Sequence, residues 1–169
     1  MIGTVRQMSK MLTMLSGLLT KAEAFADEKG LGHDALLEAR LAPDMFTLIQ
    51  QIQAASDSAK FLAARLGGVE PASDPDEEKT FDELQARLKK TIAFLGTFEA
   101  DAFDGWAERK ISLRFAPQMY AVGAEYAHAF AIPNFYFHVT TAYAILRHKG
   151  LQIGKRDFIH HMDMRPLEG

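Results

Sequence analysis

Apolar residues recur along this chain with the spacing of helices. Val5, Met8, Leu12, Leu15, Leu19, Ala22 and Ala26 alternate steps of three and four, and Met11, Leu18 and Phe25 widen the stripe. That period predicts a core-facing helix, stopping near Gly30, where the Gly-Leu-Gly run supplies a C-terminal signal. A second helix is predicted to begin after Pro43, with Met45, Leu48, Ile52, Ala55, Ala59, Leu62 and Leu66 on its buried side and Gly67-Gly68 at its end. The intervening "LGHDALLEARLAP" is long enough for a short helix or an ordered loop.

After the second helix the chain turns polar. "VEPASDPDEEKT" is acidic and holds two prolines, so it reads as a solvated loop. Thr80 with Glu83 three residues on is a capping box. It opens a third helix whose buried stripe is Phe81, Leu84, Leu88, Ile92 and Leu95, running to about Phe98. Then the period changes to two: Ile111, Leu113 and Phe115 alternate with Lys110, Ser112 and Arg114, as in a strand. "PQMYAVG" can return as the second strand of a small hairpin. "AEYAHAFA" resumes a helical pattern, which Pro133 interrupts.

The last helix is predicted from about Pro133 to Lys149. Arg147, His148 and Lys149 suit the negative end of its dipole, and Gly150 its C-cap. It is apolar nearly all round and is expected to be the most buried helix. The remaining "LQIGKRDFIHHMDMRPLEG" has no sustained period and is expected to lie along the surface. The pattern as a whole predicts an all-α four-helix bundle with a short β-hairpin between its third and fourth helices. Residues 1–159 make one domain and 160–169 a C-terminal tail.

Composition narrows the chemistry. At 169 residues, 48% apolar and 24% charged, the chain can bury a full core. With 19 basic and 22 acidic residues and no Lys/Arg cluster longer than two or three residues, it lacks the basic face that nucleic acid requires. Arg6, Lys10 and Lys21 break up the N-terminal apolar run, so neither a membrane span nor a signal peptide is expected. The absence of cysteine removes disulfides, zinc-thiolate sites and thiol nucleophiles. No phosphate loop, dinucleotide fingerprint or serine elbow stands at the required spacing.

One candidate residue remains: His138, alone in the apolar "PNFYFHVTTAYAILRHKG". At ~100° per residue, Ala142 and Ile145 share its direction and Thr141 lies about 60° aside, so the imidazole projects inward. On the second helix Asp44, Gln51 and Ser58 stand seven residues apart along one flank, where they could line a cavity facing His138. A buried imidazole needs hydrogen-bond partners, and Asp44, Gln51 and Tyr143 are the candidates. Three roles stay open for His138: a hydrogen-bonded core residue, a pocket residue contacting a ligand, or a metal ligand. Against the last, no His, Asp or Glu stands three, four or seven residues either side of it. His148, ten residues on, is about 15 Å away along the axis. His160-His161 with Asp163 read as a solvated tail cluster, and His33 and His128 as isolated.

"RLAPDMFTLIQQIQAASDSAK" followed by "PNFYFHVTTAYAILRHKGLQIGKRDF" resembles a bacterial domain family of unknown function within the DinB/YfiT-like superfamily. The likeness extends from residue 1 to about 159. It implies a four-helix bundle, a cytoplasmic homodimer and, in members with known roles, a divalent metal held by three histidines. One of those lies on the second helix and two form an H-x-x-x-H pair on the last; some members are thiol-dependent transferases or isomerases. Here Ala142 or Asn134 stands where the partner of His138 would be, and the nearest polar candidate on the second helix is Gln51. With the resemblance the metal site reads as degenerate and no cofactor is expected beyond a weakly held divalent metal, while the residue spacing points to a small-molecule pocket near His138 with Asp44, Gln51, Thr141 and Tyr143 as its candidate lining. The alternatives are a metal- or thiol-dependent transferase or hydrolase with an unconventional ligand set such as His138, Asp44 and Gln51, and a non-catalytic interaction module.

Overall fold

The computed structural model describes residues 1–113, 116–159 and 165–166. The chain is mostly helical, with one small two-stranded sheet among the described residues. Its long helices are α1 (Ile2–Lys29), α3 (Leu48–Gly67), α4 (Phe81–Leu95) and α6 (Ile132–His148), with a single-turn α2 (Asp34–Leu37) between the first two. Helix α1 ends where Gly30 adopts φ 62°, a left-handed cap that glycine reaches without penalty. Helix α4 opens on the Thr80–Glu83 capping box and stops at Leu95, a turn short of the sequence expectation.

Helix α3 is the central element, packed against α6, α4 and α1. It starts later than the apolar pattern suggests. Thr47 accepts a hydrogen bond from the Gln50 amide while the Gln50 side chain returns to the Thr47 amide, which fixes Leu48 as the first helical residue. Asp44 is therefore in the preceding loop, exposed, and not on the flank assigned to it. Helix α3 is also the most buried: thirteen of its 20 residues are inaccessible, against seven of 17 in α6. Being apolar all round did not bury α6, because Phe137 on its outer side is 56% exposed.

The hairpin is present. Strand β1 (Lys110–Leu113) pairs antiparallel with β2 (Ala116–Val122), Ile111 opposite Ala121, with Arg114 and Phe115 between them outside the described residues. Helical structure then runs unbroken from α5 (Gly123–Glu125) through a π-helical stretch, Tyr126–Ala131, into α6. Pro133 does not interrupt it. Within a regular helix its ring would strike the carbonyl four residues back; the wide turns just before it give that ring room.

The segment after α6 is partly internal. Leu151 and Ile153 are buried, and Asp157 of α7 (Lys155–Phe158) accepts a hydrogen bond from Lys21 at 2.5 Å. His160, His161 and Asp163 fall outside the described residues. Among the described residues no helix is long and apolar enough to cross a membrane.

Candidate functional site

Three side chains of α3 stand seven residues apart and each reaches the helical stretch 123–148. Gln51 Oε1 lies 2.8 Å from Nδ1 of His138. Ser58 Oγ accepts a hydrogen bond from Asn134 Nδ2 at 2.8 Å. Arg65 Nη1 donates to the Tyr126 hydroxyl at 2.9 Å. Seven residues are close to two helical turns, so the three sit on one face of α3. The polar flank of this helix is thus Gln51, Ser58 and Arg65, with Asp44 left out.

At the Gln51–His138 end the protonation state follows from the bonding. The Gln51 amide nitrogen donates to the carbonyl of Phe46, which can only accept. Its oxygen therefore faces the imidazole, and Nδ1 must carry the hydrogen. The ring is buried at 8% exposure and stacks on Phe46 with centroids 6.0 Å apart. Burial pushes its pKa below the usual histidine value, so the imidazole is neutral at pH 7. Thr141 is occupied with the Phe137 carbonyl, and Tyr143 packs edge-on against Phe158. Of the residues the sequence places around His138, the structure brings only Gln51 into hydrogen-bonding contact with it. Nor are His33 and His128 isolated: His33 pairs with Asp27 and packs edge-on against Phe81, and His128 packs edge-on against Trp106.

These residues do not fit a three-histidine metal centre. One imidazole nitrogen is committed to an amide oxygen, and the positions that would supply further ligands hold Gln51, Asn134 and Ala142. Among the described residues no group of three or more His, Asp or Glu could hold an ion.

Beside this row opens a cleft of about 1190 Å³, bounded by α3, the loop 69–79, strand β1 and the π-helical stretch. Gln51 and His138 do not line it; Phe46, which stacks on the imidazole, does. Its inner wall includes Ser58, Phe61, Arg65, Tyr126, Phe130 and Asn134. Arg65 Cζ lies 4.9 Å from the centroid of the Phe61 ring and 5.5 Å from that of Tyr126, within cation–π range of both. Burial pushes the Tyr126 phenol above its usual pKa against the opposing pull of Arg65, so it keeps its proton.

The outer wall is held in place by a charge network that sequence reading misses. The loop 69–79 is not simply solvated: Asp74 is held between Lys60 of α3, at 2.7 Å, and Lys90 of α4. Arg87 of α4, its side chain 2% exposed, faces Glu78 and Asp76 at 3.0 Å and Asp57 at 2.9 Å. The Asp57 approach is an ion pair without hydrogen-bonding alignment, and Arg87 Nε has no acceptor among the described residues. Burial alone would raise the Asp74 pKa, but hydrogen bonds from Lys60 and Lys90 outweigh it and lower it to about 2. Glu78 is likewise held below the usual range, with Gln53 and Arg87 overcoming its burial. At the far end Arg109 reaches the Leu66 carbonyl and the Asp104 carbonyl across Gly68, capping the negative end of α3.

A mostly helical chain with this small hairpin has the form of a DinB-like protein. The crystal structure of a DinB family member protein from Shewanella denitrificans is similar to it, with 42% identity, a TM-score of 0.92 and coverage of 96% of this chain and 93% of that one. Residues 2–159 match the model of a family described as a domain of unknown function, DUF1993, and the chain belongs to that family. No curated protein matches it.

Proposed function

We propose that this protein is a four-helix bundle of the DinB type, one domain over residues 1–159, that binds a small organic molecule without a metal. The reading rests on one observation. A cleft of about 1190 Å³ has an inner wall of aromatic rings with a few fixed polar groups, Arg65, Tyr126, Ser58 and Asn134. Ligand sites are concave, largely apolar and oriented by a small number of polar groups. The Gln51–His138 pair supports this reading from behind. It occupies ground that a metal site would need, and it locks α6 to α3 so that Asn134 is held where the cleft requires it.

The test is a fragment screen by amide chemical shifts on the isotopically labelled chain. Saturable shifts centred on Phe61, Arg65, Tyr126 and Asn134 support the reading, and shifts confined to other surfaces defeat it. Metal content of untagged protein is measured in parallel. One equivalent of zinc, nickel or manganese, lost in His138→Ala, would favour a metal-dependent enzyme instead.

A further inference from the structure

Arg65 differs from the other cations around the cleft, of which Arg40, Lys79 and Lys110 stand exposed on its lining. Lys60, Arg87 and Lys90 each face at least one carboxylate within 3.0 Å. Arg109 is compensated by backbone carbonyls at the end of α3. Arg65 sits in the last turn of α3, half-buried in the cleft wall, and among the described residues no carboxylate comes within ion-pair distance of it. Its contacts are the Tyr126 hydroxyl and the rings of Phe61 and Tyr126. A guanidinium carries five donors in a rigid fork matched to a planar anion. One nitrogen is used on Tyr126, and the Tyr126 hydroxyl, having accepted that bond, still has its own hydrogen to give.

We infer that Arg65 and Tyr126 form a receptor for the carboxylate of a small aromatic or otherwise apolar acid, whose body lies along Phe61 and Phe130. This rests on the reading of the cleft as a ligand site. The geometry favours this class for three reasons. Two adjacent donors, one charged and one neutral, can meet the two oxygens of a carboxylate in one plane. Phe130, 41% exposed at the mouth and 6.1 Å from the Tyr126 ring, offers apolar surface beside those donors. Glu70, Asp76 and Glu77 are exposed at the outer rim of the cleft, so a dianion such as phosphate meets about twice the repulsion of a monoanion there.

The probes are benzoate, benzamide and inorganic phosphate, titrated into the labelled full chain at pH 7 while the Arg65 side-chain Nε–H and the surrounding amides are followed. Benzoate is expected to shift Arg65 Nε–H saturably and to bind at least tenfold more tightly than the isosteric benzamide. Arg65→Gln should abolish that preference, and Tyr126→Phe, which keeps the guanidinium, should reduce it without removing it. Circular dichroism confirms that both variants fold. Equal affinity for benzoate and benzamide within the cleft would leave a binding site standing and overturn the carboxylate receptor. Tighter binding of phosphate than benzoate would overturn it too. No saturable shift with any probe would overturn both it and the reading of the cleft.

Discussion

Nδ1 of His138 on α6 and Oε1 of Gln51 on α3, 87 residues apart in sequence, meet at 2.8 Å inside the protein and join the two helices. Gln51→Leu removes the acceptor and leaves a buried N–H unpaired. It should destabilise the fold by about 1–3 kcal/mol. Replacing both residues with leucine should cost less than the sum of the single changes, because no polar group is then stranded. Urea denaturation of the four proteins in that cycle measures the coupling.

The same imidazole gives a pH signature. Its folded pKa lies below the ordinary 6.5 because of burial. Between the two values the unfolded chain binds more protons, so this contribution is complete above pH 6.5 and is lost as pH falls toward the folded value. Side-chain NMR of His138 should show a midpoint below those of exposed histidines. In His138→Leu, the urea midpoint should fall less than in wild type between about pH 7 and pH 5.5.

Arg87 is the keystone of the charge network. Arg87→Met strips the cation from Asp57, Asp76 and Glu78 together, and removing one partner of a buried ionic cluster costs about 3–5 kcal/mol. Beyond a lowered Tm, limited proteolysis should now cut within residues 69–79. Protection of that loop equal to wild type would show that its docking does not depend on this guanidinium.

Acid should act through Asp74. Its carboxylate stays ionised to about pH 2 in the folded protein, against an ordinary value of 3.8. The stability it supplies is therefore present above that ordinary value and disappears as pH falls toward the folded one. Asp74→Asn should be less stable at neutral pH and show a shallower loss on acidification, read as denaturation midpoints across that range.

Two glycines should respond in opposite directions to alanine. A Cβ at Gly123 would collide with the Trp106 backbone carbonyl, so the start of α5 or the turn beneath it must move. A cost of about 2 kcal/mol or more is expected. Gly17 lies in the exposed middle of α1 with nothing within 4 Å of an added Cβ. There alanine should stabilise by about 0.5–1 kcal/mol through helix propensity. Chemical denaturation of both variants gives the comparison.

The helices were legible because each writes its buried stripe locally, and the Thr80–Glu83 cap and Gly30 mark their own positions. The start of α3 was equally legible in Thr47 and Gln50, a capping box three residues apart, and reading it would have moved Asp44 off the helix and put Arg65 on the row with Gln51 and Ser58. The cleft's outer wall was not legible. Asp74 and Glu78 look like solvent-facing acids because Lys60, Lys90 and Arg87 lie on other elements, 9 to 16 residues away. No local period records such pairings. The depth of α6 misled for a related reason: an apolar residue such as Phe137 announces its character but not what stands opposite it.

Eight residues at about 100° each would leave Tyr126 some 80° around the axis from Asn134 if the chain between them were ordinary α-helix. The under-wound turns from Tyr126 to Ala131 rotate less per residue and cancel much of that drift. Their consequence is a matter of phase. They let a proline-bearing rod pass on without swinging the phenol away from Arg65, so a local irregularity in winding keeps one end of the cleft wall aligned with the other.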